Sequence, residues 1–315
     1  MLSKILLRRA GQAGLVAWAV GTLTFVLMRL LPGDFAYRIA AGRYGYDYVN
    51  QAAAEAVSAE LGLDRPALVQ YLEWLLNLLQ FNLGDSLVSG NPVAQELYHQ
   101  LGHSLQLALF ATFFSLLIAI PLGVYAGRHA GSKGDKISLV FSIIVRAQPV
   151  FVVGLILVLL FALKWRLLPV AGFGSSEFVI LPALSLALAM AALSSRMIRN
   201  ATYDVVNAPY YRFARYKGLS EAQAFTHHAQ PNITLPVLAF VGIQAVGLIE
   251  GIVMIESLFS WPGIGHALAH AIFGRDVPMI QGAALMMGLI FVVLNTLVDL
   301  IAYALDPRQR EGALA

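Results

Sequence analysis

The sequence contains no cysteine, which excludes a disulfide framework and thiolate metal sites and leaves packing alone to hold any exported segment together. Charge is almost as scarce. Only 12% of the 315 residues are Asp, Glu, Lys or Arg, against roughly a quarter in ordinary soluble domains. No G-x-x-x-x-G-K-[ST] phosphate loop occurs, the nearest approach, GRHAGSKG at residues 127–134, having the wrong spacing. A G-x-S-x-G elbow and an H-E-x-x-H helix are also missing. Any pumping energy must therefore come from another subunit or from an ion gradient, and nothing positive points to an intramembrane enzyme.

What is abundant is apolar sequence. Hydrophobic residues make up 58% of the chain and the mean hydropathy is +0.71, which marks an integral membrane protein. Six stretches are long enough to cross about 30 Å of hydrocarbon: 10–31, 105–127, 137–163, 178–193, 235–255 and 279–305. The fourth is short and is expected to continue through Ser194 and Ser195. The first follows Lys4, Arg8 and Arg9, but its apolar run exceeds that of a signal peptide and no small-residue cleavage site follows, so it reads as a retained helix. The pI near 9.1 is an orientation signal. No basic stripe with interleaved aromatics lies outside the loops, so nucleic acid is not an expected partner.

With the N-terminus in the cytoplasm, the inner segments hold thirteen Lys and Arg and the outer segments only six, although the outer ones are longer. The positive-inside rule then puts both termini inside. It puts an acidic segment, 32–104, on the outer face and the polar loop 201–235 on the inner one.

That loop carries its own punctuation. Asn207 and Pro209 are expected to open a helix that Gly218 closes. Ser220 and Gln223 form a capping-box pattern for a second helix, which Pro231 is expected to end. Helices this short are marginal in water and persist only when something packs on them. A partner is the natural candidate. Tyr210, Phe213, Ala214 and Lys217 fall at i, i+3, i+4 and i+7 on one face, with Arg212 and Arg215 as added donors. The competing reading is a basic loop resting on lipid headgroups.

Within the loop Tyr210, Arg212, Ala214, Arg215, Lys217, Gly218 and Leu219 form the pattern Y-x-R-x-A-R-x-K-G-L, followed by Leu235-Pro236. In the same order along the chain run Leu31-Pro32-Gly33-Asp34, Leu61-Gly62-Leu63-Asp64-Arg65-Pro66, Ile180-Leu181-Pro182-Ala183, Phe259-Ser260-Trp261-Pro262-Gly263-Ile264-Gly265, Val298-Asp299-Leu300 and Asp306-Pro307-Arg308. Together these resemble the permease subunits of ABC importers of the dipeptide, oligopeptide and nickel family, nearly end to end. The resemblance implies an all-α, polytopic, six-helix half-channel of the type I importer kind. It would pair with a second, homologous permease subunit, sit on two cytoplasmic ATPase subunits, and receive substrate from an extracytoplasmic binding protein. ATP and Mg²⁺ would belong to the ATPases and none to this chain, which would not be catalytic. The 201–235 loop would supply the coupling helix, on a five-helix core of residues 105–315 that follows the first helix (1–31) and the outer segment. Two departures fall in the outer segment: Phe35 stands where proline is usual, and Asn82 where aspartate is usual.

Charges within the spans are costly and are expected to pair or to face a pathway. Arg29 can snorkel from a helix end. Glu256 and Asp299 stand at family-typical positions, which favours pairing, although Asp299 also falls among path candidates. Arg146 and Glu250 replace small residues of the family pattern, so with Gln148 they are candidates for the translocation path, the alternative being an ion pair inside the bundle. His99 with His103, and His266 with His270, are spaced i, i+4 near the outer entrance, a geometry that can hold a metal. His227 and His228 read as structural. The expected function is ATP-driven import of peptides, nickel or metal-chelates. A stand-alone gradient-driven transporter is the alternative, and it would call for an inverted repeat of broken helices that the sequence does not display.

Overall fold

The computed structural model describes residues 2–30, 33–45, 47–61 and 65–305, and the side chains of 7–300 among them. The Leu31-Pro32 and Leu63-Asp64 motif positions and Asp306-Pro307-Arg308 lie outside the described residues. Thirteen α-helices follow one another: α1 (Leu2–Leu30), α2 (Phe35–Tyr44), α3 (Gln51–Leu61), α4 (Ala67–Leu79), α5 (Val93–Arg128), α6 (Lys133–Ala147), α7 (Val150–Leu157), α8 (Ile180–Asn207), α9 (Pro209–Tyr216), α10 (Glu221–Ala224), α11 (Gln230–Leu258), α12 (Ile264–Gly274) and α13 (Val277–Leu305). Among the described residues the only strand-like pairing is one isolated bridge, Asp85 to Pro92. The fold of the described residues is all-α, as the resemblance implied.

Among the described residues five helices are long and apolar enough to cross a membrane, and a sixth crossing exists if the pair Lys133–Ala147 and Val150–Lys164 counts as one. This pair covers the expected span at 137–163 and bends by 105°. The cause is local. Pro149 disfavours the helical region for the residue before it, and Gln148 accordingly sits at φ −99°, ψ 140°. The fourth span runs further than expected, from Ser176 to Asn207, and α5 begins twelve residues before the expected start at 105. Residues 93–104 are thus the first turns of a long helix.

The described residues form two compact units. One, built from Met1–Ser104 and Pro262–Val293, has a core of Met28, Val93, Leu97, Ile264, Met279 and Ile280. Asp276 caps α13 through the Met279 N–H and receives the Ser86 hydroxyl and the Leu87 N–H, which pins the 84–93 loop to the start of that helix. Both departures in this unit have a physical account. Phe35 is the first residue of α2 after the Asp34 N-cap, the position proline also favours. The Asn82 Oδ1 accepts the Gly84 N–H at 2.9 Å, a bond an aspartate would make equally well.

The other unit, Leu105–Trp261 with Leu294–Ala315, buries Leu107, Leu157, Leu181, Leu186, Ile255, Phe259 and Trp261. Helix α5 approaches α8 closely. A Cβ on Gly127 would stand 2.6 Å from the Arg199 carbonyl oxygen, so only glycine permits this crossing, as is usual where membrane helices pack backbone to backbone.

Candidate functional site

The loop after α8 is built from local signals. Asn207 is the last residue of α8, its side chain donating to the Tyr203 carbonyl at 2.9 Å. Ala208 is extended, as the residue before a proline prefers to be, and Pro209 starts α9. Helix α9 stops at Tyr216, and Gly218 turns the chain at φ +92°. Ser220 and Gln223 then make both bonds of a capping box. Proline does not end the second helix, contrary to expectation. A π-helical stretch, Phe225–Ala229, leads into α11, and Pro231 falls in its first turn, where a missing N–H costs nothing.

Tyr211 and Ala214 form the inward face of α9. Tyr211, 5% exposed, packs with Ala224, Ala229 and Ile233, so the short helix is held by its own chain. Ala214 therefore leaves the stripe predicted for it. Tyr210, Phe213 and Lys217 remain together on the outside, with Tyr216 beside them. Phe213 is 58% exposed, and the Lys217 ammonium lies 4.7 Å from its ring centre. Arg212 reaches only the Asn207 Oδ1 at 3.5 Å. Arg215 donates to the Leu219 carbonyl at 3.0 Å and so closes the Gly218 turn.

Behind the loop stands a charged cluster that the residue pattern did not disclose. Asp135, with a side chain 8% exposed, accepts from Arg199 at 2.9 and 3.2 Å, from Arg196 at 3.1 Å and from the Gly131 N–H at 3.0 Å. At the end of α5, Arg128 pairs with Glu221 of α10 and covers the Phe225 ring. In sequence these residues count only as positive-inside charge. The available signal was Arg196 and Arg199 at i, i+3 where the apolar run of α8 ends.

The path candidates divide. Arg146 and Gln148 are exposed at the α6–α7 elbow and Glu250 is exposed on α11. Among the described residues no ion pair engages Arg146 or Glu250. Asp299 is half-buried and Glu256 wholly buried.

Of the histidines, His266 and His270 meet edge to face with ring centres 4.5 Å apart. They open on a cavity of about 470 Å³ that Glu96, Gln100 and Asp276 also line. Burial, and then the neighbouring His270, lower the His266 pKa below its ordinary value, which favours the neutral, ligand-competent imidazole. His99 is exposed against Tyr98, and neither it nor His103 lines that cavity. Among the described residues no three of His, Asp and Glu come together as a group able to hold a metal ion.

Residues 119–311 match the family model described as binding-protein-dependent transport system inner membrane component, and residues 1–108 match the model of its N-terminal region. A Brucella melitensis protein named for a peptide transport system permease is 36% identical, covering 98% of this chain and 99% of its own. A Staphylococcus aureus nickel import system permease is 34% identical over 98% of this chain and 92% of its own. Among solved structures, an amino acid ABC transporter crystallised with histidines aligns with a TM-score of 0.52 at 15% identity, covering 66% of this chain and 92% of that one. At that identity the likeness concerns the fold alone.

Proposed function

The chain belongs to the family of inner membrane components of binding-protein-dependent transport systems, the permease subunits of ABC importers that work with ATPase and substrate-binding components, and from that premise we propose that it carries small peptides inward. The support for peptide is the name of the Brucella relative and of a Sinorhizobium fredii peptide ABC transporter permease 35% identical over 97% of this chain. It is a multi-pass protein of the inner membrane. We further assign both termini to the cytoplasm from the Lys and Arg distribution. In this reading one copy pairs with a second, homologous permease and two ATPase subunits, which hold the ATP and Mg²⁺. This chain contributes no catalytic group and moves substrate by alternating access.

The observation that carries the reading is the two-sidedness of α9. Tyr211 and Ala214 anchor it to the permease, while Tyr210, Phe213 and Lys217 stand bare, an aromatic and cationic face of the kind that fills a partner's cleft. Closure of the ATPases would pull on this face. The Gly218 turn and the capping box make α9 and α10 move together. Arg128–Glu221 would then pass the pull to α5, and the Asp135 cluster would tie α8 to α6. That linkage ends at the elbow where Arg146 and Gln148 stand exposed, so the substrate path would open or close there.

Nickel is the second reading, favoured by the His266–His270 pair on its cavity and by the Staphylococcus aureus relative. Uptake by the reconstituted importer decides between them. Labelled dipeptide should enter and be displaced by unlabelled peptides of varied side chain, with no inhibition by nickel. Nickel uptake that falls when His99, His103, His266 and His270 are all changed to alanine would reverse the assignment.

A further inference from the structure

Helix α4 is amphipathic, and its apolar face is bare. Gln70, Glu73 and Asn77 lie on one face at i, i+3 and i+7 and line a cavity of about 440 Å³ that Arg29 and Arg65 share. Leu68, Leu72, Leu76 and Leu79 form the other face, and all four are exposed. A helix in water hides its apolar stripe and shows its polar one. Here the polar groups are paired along the cavity although they stay partly open: half-exposed Arg65 pairs with half-exposed Glu73 at 2.7 Å and Arg29 donates to Gln70.

The contacts of α4 with α1 give its depth. Arg29 meets Gln70, Phe25 stacks on Tyr71 with ring centres 5.4 Å apart, and Thr22 shares a hydrogen bond of 2.8 Å with the Tyr71 hydroxyl. Further along, the Trp74 ring lies over Gly21 so closely that no Cβ would fit there. As residue numbers rise along α4 they fall along α1, so α4 runs back beside the span it follows. Gly21 is nine residues before the end of α1, about 13 Å along the axis at about 1.5 Å per residue. Half of the hydrocarbon core is about 15 Å, so with the end of α1 at its edge Trp74 would stand well inside it.

We infer that α4 is a re-entrant helix seated in the leaflet reached by the C-terminal end of α1, with Leu68, Leu72, Leu76 and Leu79 facing lipid acyl chains. An exposed leucine stripe at that depth has hydrocarbon as its natural solvent, and the pairing of Glu73 with Arg65 is what a charge near the membrane requires. The interior backbone groups of the helix are satisfied within it, as a hydrocarbon setting requires. The inference does not depend on which face of the membrane α1 ends at, nor on the identity of the substrate.

The absence of cysteine makes a direct test possible. Single changes Leu72→Cys and Leu76→Cys, with Leu23→Cys on α1 as the lipid reference and Tyr48→Cys as the aqueous reference, would each carry a nitroxide. Measurement would be in the assembled importer in phosphatidylethanolamine/phosphatidylglycerol nanodiscs, with the other subunits made cysteine-free. Power saturation should give Leu72 and Leu76 labels the Leu23 pattern: several-fold more collision with oxygen than with a water-soluble nickel chelate, unchanged on adding the binding protein. Chelate access equal to that at Tyr48 would put α4 in water and overturn the inference. Protection from both reagents, or a change on adding binding protein, would mean a protein covers the stripe and would overturn it equally.

Discussion

Asp135 of α6 and Arg199 of α8 are joined by two parallel hydrogen bonds, Nη2 to Oδ2 at 2.9 Å and Nε to Oδ1 at 3.2 Å. The bidentate fork fixes distance and angle together, which a lysine could not do. Arg196 and the Gly131 N–H take further lone pairs of the same carboxylate, so the buried charge is fully engaged. Arg199 is eight residues from the end of α8 and nine from Ala208, where α9 begins its approach. The clamp thus lies between the loop proposed to meet the ATPase and the helix that leads to the Gln148–Pro149 elbow.

Replacing Asp135 by asparagine keeps the shape and strands two guanidinium groups. The expected loss is about 3 kcal/mol, the low end for breaking a buried pair because both arginines keep some solvent contact. Thermal unfolding of the purified complex measures it. A double-mutant cycle of Asp135→Asn with Arg199→Gln should return a coupling above about 1 kcal/mol, and strict additivity would remove the clamp from the account.

The two faces of α9 should separate stability from coupling. Tyr211→Ala is expected to destabilise the loop by about 3 kcal/mol, as loss of a buried aromatic does. Phe213→Ala should change stability by less than about 0.5 kcal/mol yet weaken co-purification of the ATPase about tenfold, the effect of removing an interface aromatic worth about 1.4 kcal/mol. Equal ATPase recovery from the Phe213→Ala protein and the unaltered one would count against the proposed docking face.

Gly218 tests the turn alone. A Cβ there would meet nothing within 4 Å, so the penalty of Gly218→Val comes only from φ +92° and should be about 1–2 kcal/mol. Membrane insertion should persist while ATPase association and transport fall. Gly218→Asn should be milder, since asparagine tolerates positive φ, and the order Val worse than Asn in a transport assay is the outcome to look for.

Arg146 and Glu250 are exposed and make no ion pair among the described residues. Arg146→Ala and Glu250→Gln should therefore be additive in stability to within about 0.5 kcal/mol, while each alters substrate-stimulated ATPase activity or selectivity. Partial rescue of one change by the other would show that they pair in the assembled complex instead.

What was legible in the residue order was whatever neighbours encode. Ser220 with Gln223, Pro209, and Gly218 are signals read within four residues, and each appears where expected. The 105° bend was also encoded, by Pro149 acting on Gln148, but an apolar window passes over one proline. The Asp135 cluster was not legible, because its partners are 61 and 64 residues away and arginine at a membrane boundary already has an explanation. Ala214 was misassigned for a related reason. Spacing names the residues that share a helix face, but which face turns inward is decided by Tyr211 finding Ala224, Ala229 and Ile233, none of them local to α9.

The central claim is that this permease moves substrate only when driven through its cytoplasmic loop by ATP hydrolysis in its partners. The most direct measurement is labelled dipeptide uptake into proteoliposomes holding the whole importer, with the binding protein outside and ATP sealed inside. The account predicts uptake that requires both, that is unaffected when proton and sodium gradients are collapsed, and that is lost with Phe213→Ala combined with Lys217→Glu while the permease stays folded. Uptake by this chain driven by an ion gradient, without ATP or ATPase subunits, would contradict it.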